Sequence, residues 1–187
     1  ANVVTDEIAG FATGRALLKS GRSVETDIVV TATGLKLQAF GGIRVTVDGN
    51  AYRPGDHMSY KGVLLENLPN LAWMFGYINH AWTLKTDLSA AYVCRLLKHM
   101  DAHGKTMVVA CDREACRQDE SIMSALSAGY VRRSGREIPR QGSKAPWFVS
   151  HDRRVDRRQL IDTPIDDDCL VFYGRQECGD GNAASGY

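Results

Sequence analysis

Two stretches of the sequence hold residue types at spacings that could do chemistry. The first is Asp27-Ile-Val-Val-Thr-Ala-Thr-Gly34. Its β-branched run reads as a strand over Asp27–Ala32, apolar enough to be buried on both faces. Thr33 and Gly34 end it abruptly, and a glycine there lets backbone approach a ligand closely. In open parallel sheets, ligands sit at such carboxyl ends of strands. A core strand followed by a tight turn accounts for the same residues. The second stretch, Leu71 to Lys85, reads as strand, loop and helix start, and carries Gly76, Tyr77, Asn79, His80, Trp82, Thr83 and Leu84. A helix start offers unpaired N–H groups and a partial positive charge, which suit an anionic or electron-rich edge. Aromatic side chains beside it suit a flat ring. A strand–helix connection with core aromatics explains this stretch equally well.

The other candidates have ordinary explanations. His99 and His103 lie four apart on an expected helix, but no third ligand is near in sequence, so a solvated helix end is expected. Cys94, Cys111, Cys116, Cys169 and Cys178 are odd in number and form no Cys-x-x-Cys pair. A disulfide framework or structural zinc is therefore not expected, and a reducing compartment is. Asp166-Asp167-Asp168 lacks the glycine and distal glutamate of a calcium loop and reads as a solvated turn. No Gly-x-Ser-x-Gly elbow supports a serine hydrolase. Eight arginines between Val131 and Leu160 could track a phosphate backbone, with Tyr130, Trp147 and Phe148 for stacking. Asp152 and Asp156 interrupt them, and a local charge run is usually a solvated face, so no nucleic-acid partner is expected.

These residues need elements to hold them. Strands are expected at Asn2–Phe11 and Arg15–Lys19, the latter closed by Ser20-Gly21. From Leu37 to Gly62 turns dominate, with Ile43–Val47 as one arm of a hairpin before Asp48-Gly49. Val63–Leu65, Leu71–Phe75 and Thr106–Cys111 are further strands. Apolar residues from Leu84 to Met100 recur at helical spacing, Gly104 marks the stop, and Thr83 or Thr86 can cap the start. Arg113–Leu126 is a second, weaker helix. Tyr130–Arg158 reads as loop, and Gly174–Tyr187 as a polar, mobile tail.

The 187 residues are 44% hydrophobic and 24% charged, with a formal net charge of +1. This is a globular composition, with neither the basic excess of a general nucleic-acid binder nor an acidic tail. No apolar run nears the ~18 residues of a membrane helix. The first ten residues show no secretory signal, and a cytoplasmic location is expected, with peripheral membrane association open. Lacking an initiator Met and starting almost directly on a strand-like run, the chain is expected to be a piece of something longer.

Both stretches resemble the carboxyl-terminal part of class B flavoprotein monooxygenases, the flavin-containing and Baeyer–Villiger enzymes. Asp27 to Gly34 matches the family's Asp-x-hydrophobic-hydrophobic-x-Ala-Thr-Gly pattern, and Leu18-Lys-Ser-Gly21 resembles the hairpin turn preceding it. More specific is Asn70-Leu-Ala-Trp-Met-Phe-Gly76 followed by Tyr77-Ile-Asn-His-Ala-Trp-Thr-Leu-Lys-Thr-Asp-Leu88. It is similar to the subgroup containing the mycobacterial monooxygenase that activates thioamide prodrugs. Tyr92 to Leu97, Met100-Asp101 and Gln141 to Trp147 extend the likeness, which covers about Asn2 to Phe172. The family's Gly-x-Gly-x-x-Gly turns for FAD and NADPH, the Phe-x-Gly-x-x-x-His-x-x-x-Trp signature and the active-site arginine are not in this sequence. His80 stands where the subgroup has a small residue.

The resemblance implies an α/β fold, part of a two-dinucleotide-domain flavoprotein. Residues 1–104 would belong to the FAD-binding domain, with a substrate-side insertion at 37–62. Residues 105–172 would form a carboxyl-terminal extension, and 173–187 a disordered tail. It implies FAD and NADPH as cofactors, both sites being largely outside this chain. It also implies O₂ and a small ketone or a sulfur or nitrogen compound as partners, oxygenated through a peroxyflavin. Thr33, Gly34, Gly76, Tyr77, Asn79, Trp82, Thr83 and Leu84 would face the cofactor. The missing amino-terminal portion would be a partner too, and the isolated chain is expected to be inactive. A truncated non-catalytic protein and an arginine-rich nucleic-acid module are the alternatives.

Overall fold

Strand pairing begins at the amino end, where alternation and turn glycines agree. Strands β1 (Ile8–Ala12), β2 (Arg15–Leu18) and β3 (Ser23–Glu25) form an antiparallel meander in a computed structural model that describes residues 2–34 and 36–175. Ala16 and Leu18 of β2 are buried and Arg15 and Leu17 exposed, the period-2 pattern of a half-covered strand. Gly21 adopts a left-handed φ of 86° in the β2–β3 turn, where its N–H donates to the Leu18 carbonyl. The chain divides into two units, Ala1–Leu35 and Lys36–Tyr187.

The expected strand at Asp27–Ala32 is not formed. The segment is extended but joins no ladder among the described residues, and Ile28 and Val30 are 79% and 86% exposed. A strand apolar on both faces needs neighbours on both edges and cover on both sides. Within this unit the place beside β2 goes to the nearer Ser23–Glu25, which closes a much shorter loop.

In the second unit the hairpin expected at Asp48-Gly49 is present. Strands β4 (Val45–Val47) and β5 (Asn50–Tyr52) pair antiparallel, and Asp48 (φ 50°) and Gly49 (φ 81°) both take the positive φ of a tight two-residue turn. Beyond a 3₁₀ turn at Pro54–Asp56, β6 (Ser59–Tyr60) and β7 (Leu64–Leu65) form a short second pair. Leu71–Phe75, expected as a strand, makes only an isolated bridge between Leu64 and Ala72.

Helix α1 (Trp82–Ala102) dominates this unit. Leu88, Tyr92, Leu96 and Met100 fall at four-residue spacing on its inner face. They pack against β8 (Lys105–Ala110) and β11 (Leu170–Gly174), which pair antiparallel, and against Met58, Tyr60, Trp147 and Leu160. Gly104 ends the helix at φ 61°, as its position predicts. The amino end differs from expectation: its cap is Ala81, with no side-chain bond. Thr83 lies inside the helix, and the Thr86 hydroxyl donates back to the Trp82 carbonyl.

Arg113–Leu126 is not a helix. Asp112 accepts from the Glu114 and Cys116 N–H groups, a local turn that competes with helix formation. The chain then forms β9 (Arg117–Ser121), paired with β10 (Arg140–Gly142). The expected loop at Tyr130–Arg158 holds β10 and two short helices, α2 (Gly129–Arg133) and α3 (Arg153–Arg157), the latter capped by the Asp152 carboxylate. Asp167, expected in a solvated turn, pairs with Lys61 at 3.0 Å and accepts from the Tyr60 hydroxyl. The secondary structure is thus mixed α and β, as expected, but every ladder among the described residues is antiparallel. Of the expected disordered tail at 173–187, Tyr173 and Gly174 instead pair with β8 as the end of β11, and residues 176–187 lie outside the described residues.

Candidate functional site

The amino end of α1 is built by one close approach. A Cβ on Gly76 would stand 2.2 Å from Trp82 Cδ2 and 2.3 Å from Cγ, so only glycine lets the indole lie against this backbone. Phe75 meets the same indole edge-on, with ring centroids 4.9 Å apart. The loop from Gly76 to Ala81 therefore folds back, and the first residue of α1 rests on its start. Trp82 remains 50% exposed, and Thr83 and Leu84 are exposed beside it. No acidic residue stands in the first turn and no side chain caps it. The partial positive charge of this helix end is uncompensated by its own residues.

An ion pair fixes the helix end from below. Lys85 lies on the same stripe as Leu88, Ser89 and Tyr92, so its side chain points into the protein. It is 0% exposed and its Nζ lies 3.0 Å from Asp156 Oδ2, on a side chain 4% exposed. Gly62 (φ +68°) makes room, since a Cβ there would sit 3.0 Å from Lys85 Cε and Nζ. Burial lowers the Lys85 pKa, and the Asp156 carboxylate offsets only part of that. Lys85 Nζ also stands 5.4 Å from the Tyr77 ring centroid, a cation–π distance.

Among the described residues four buried polar atoms show no hydrogen bond by distance and angle: the Ser59, Ser89 and Tyr77 hydroxyls and Nδ1 of His151. Burial raises the Tyr77 pKa first and Asp156 adds to it, so the phenol stays protonated. His151 Nε2 lies 2.7 Å from the Ile122 carbonyl. Burial is the main cause that lowers the His151 pKa, with the Lys85 charge also acting downward. This ring is held neutral, donating through Nε2. His151 and Asn79 both line a cavity of about 610 Å³, walled on the apolar side by Ile78, Ile122 and Phe148.

Of the residues singled out by sequence, Gly76, Tyr77, Asn79, Trp82, Thr83 and Leu84 come together at this helix end. Gly76 and Tyr77 are buried and the other four exposed. Thr33 and Gly34 belong to the first unit, on the exposed extended segment, with Gly34 at φ 91°. Lys85, Asp156 and His151 were not among the sequence candidates. Lys85 left a signal, a charge on the apolar stripe of a helix. Asp156 left none, being 71 positions away and surrounded by arginines.

Comparison with known proteins finds no matching family model and no matching solved structure. Curated relatives do match. The chain is 50% identical over 172 residues to MymA of Mycobacterium tuberculosis, named as an FAD-containing monooxygenase. It is 43% identical over 173 residues to the FAD-containing monooxygenase EthA of the same species, and 41% over 177 residues to AlmA of an Acinetobacter species, named as an FAD-binding monooxygenase. Over nearly all of its own length, this chain is similar to FAD-containing monooxygenases. The matches take in 92–95% of this chain but only 35–36% of each relative. It corresponds to the carboxyl-terminal part of these monooxygenases, as the sequence motifs imply.

Proposed function

We propose that this chain is the flavin-side portion of an FAD- and NADPH-dependent monooxygenase. The enzyme would transfer one oxygen atom from O₂ into a ketone, or onto a sulfur or nitrogen atom. The observation that carries the reading is the uncapped, acid-free amino end of α1, held rigid by the Lys85–Asp156 pair and carrying an exposed indole. These residues suit FAD, whose ring gains negative charge when reduced. Bound FAD would supply the hydride acceptance and the O₂ chemistry.

The residues of this chain bind and orient. The first-turn N–H groups of Trp82 and Thr83 would face the electron-rich ring edge, and the Trp82 indole would cover it. Gly76 sets the indole's position. Tyr77, held protonated by burial and the nearby Asp156 carboxylate, would brace the site from below, and Asn79 would orient a polar group in the cavity it lines. Thr33 and Gly34 would meet the cofactor where backbone must pass closely. In this reading residues 1–104 belong to the FAD-binding domain, with 37–62 on the substrate side, and 105–172 form an extension. No helix among the described residues is long and apolar enough to cross a membrane.

The test is FAD affinity in the longer polypeptide that carries the remaining cofactor-binding sequence. Gly34→Val and Thr83→Pro should each weaken FAD at least tenfold in the folded fraction. Proline is tolerated in a first helical turn but removes one N–H donor. Unchanged FAD affinity in both variants, with only a lowered thermal midpoint, would refute the reading. The 187-residue chain alone should not retain FAD through gel filtration.

A further inference from the structure

The arginines that crowd the sequence after Val131 do not act together in the fold. Only Arg136 and Arg140 border the cavity beside the β4–β5 hairpin, where Arg44 and Arg53 join them from the other side. Two carboxylates, Asp56 and Glu137, also border it, so its rim is net positive. Among the described residues none of these four arginines belongs to an ion pair. Below them the surface is apolar, with Phe40, Val45 and the ring of buried Tyr52. The enclosed volume is about 710 Å³, within the range of small-molecule sites.

The rim is constructed rather than a chance meeting of loops. A Cβ on Gly55 would fall 1.9 Å from the Arg136 carbonyl oxygen, so a glycine is required for these segments to touch. Arg140 Nε donates to the Gly55 carbonyl at 3.0 Å, a second Arg140 nitrogen donates to the Asp119 carbonyl, and the Arg140 N–H donates to His57 O at 2.8 Å. Two of the five guanidinium donors are used on neutral carbonyls, which fixes the group without neutralising it. A fixed guanidinium keeps a planar fork for a carboxylate at little entropic cost.

We propose that this cavity binds an amphiphilic carboxylate, its apolar body on Phe40, Val45 and Tyr52 and its head among Arg44, Arg53, Arg136 and Arg140. A free inorganic anion would not use the apolar floor, and a neutral amphiphile would leave the guanidinium groups unpaired. The site does not involve the amino end of α1, and the inference stands apart from the flavin reading.

Calorimetric titration without flavin tests it, using octanoate, octan-1-ol, acetate and inorganic phosphate as probes. Octanoate should bind about tenfold more tightly than each of the other three. Arg44→Gln and Arg136→Gln should each weaken octanoate about threefold, the scale of a partly exposed charge pair, and together about tenfold. Octan-1-ol affinity should not change in the double variant. Arg132→Gln/Arg133→Gln, away from the cavity, should keep wild-type affinity. Should the double variant not fold, the wild type still decides, because octanoate affinity should fall with added salt and octan-1-ol affinity should not. Equal binding of octanoate and octan-1-ol, phosphate binding as tightly as octanoate, or salt-independent octanoate affinity would overturn the proposal.

Discussion

Removing the Asp156 carboxylate while leaving Lys85 in place should be among the most damaging single changes in this protein. The two charges lie 3.0 Å apart with side chains 0% and 4% exposed. At an effective dielectric constant of about 20, that separation corresponds to roughly 5 kcal/mol of attraction. Most of this offsets desolvation, so the pair's net contribution is small. Asp156→Asn does not return that desolvation, because Lys85 stays buried behind Gly62 and beneath Tyr77. The expected loss is therefore about 3–5 kcal/mol, the range for orphaning a buried charge. For a chain of this size that is roughly a 10–15 °C fall in thermal midpoint. The double variant Lys85→Met/Asp156→Leu removes both charges and should recover most of the loss. Urea unfolding of wild type, single and double variants measures all three, read at constant m-value. An Asp156→Asn cost under about 1 kcal/mol would refute the reasoning. So would a double variant as unstable as the single, since the cost would then lie in packing and not in the unpaired charge.

Three other outcomes follow from the same geometry. Gly76→Ala must push Trp82 off the backbone, given the 2.2 Å approach, and should cost about 1–3 kcal/mol with a red-shifted tryptophan emission; an unchanged spectrum and midpoint would contradict this packing. Burial lowers the pKa of His151 and, from a separate position, of His57, so the unfolded chain binds more protons just below pH 6.5. Stability should be full near pH 7 and decline as pH falls through about 6.5, levelling once the folded-state pKa values are passed; His151→Gln should make the decline shallower, and an identical slope would remove His151 from it. Lys61 and the Tyr60 hydroxyl both meet Asp167, so Asp167→Ala should cost about 1–3 kcal/mol, and a midpoint within 1 °C of wild type would show that neither depends on it.

The sequence disclosed what local rules govern. The four-residue spacing from Leu88 to Met100 and the stop at Gly104 gave α1, and Asp48-Gly49 gave the β4–β5 hairpin. The loop from Gly76 to Leu84 was legible by residue type and by its resemblance to known monooxygenases. Long-range competition was not legible. Ile28 to Val30 reads as a core strand, yet Ser23–Glu25 holds the place beside β2. Asp112 turns a weak helical pattern at Arg113–Leu126 into a strand approach. The Lys85–Asp156 pair joins residues 71 positions apart, which no spacing rule can reveal. Even Gly76, expected to face the cofactor, has its own protein side chain to accommodate in Trp82.

In the proposed function the residues from Gly76 to Leu84 face the flavin. Amide hydrogen exchange, compared with and without FAD in the longer polypeptide, tests it most directly. Slowed exchange on FAD addition is expected at the Trp82 and Thr83 amides. Unchanged exchange at both amides, with protection confined to other segments of the polypeptide, would overturn this reading.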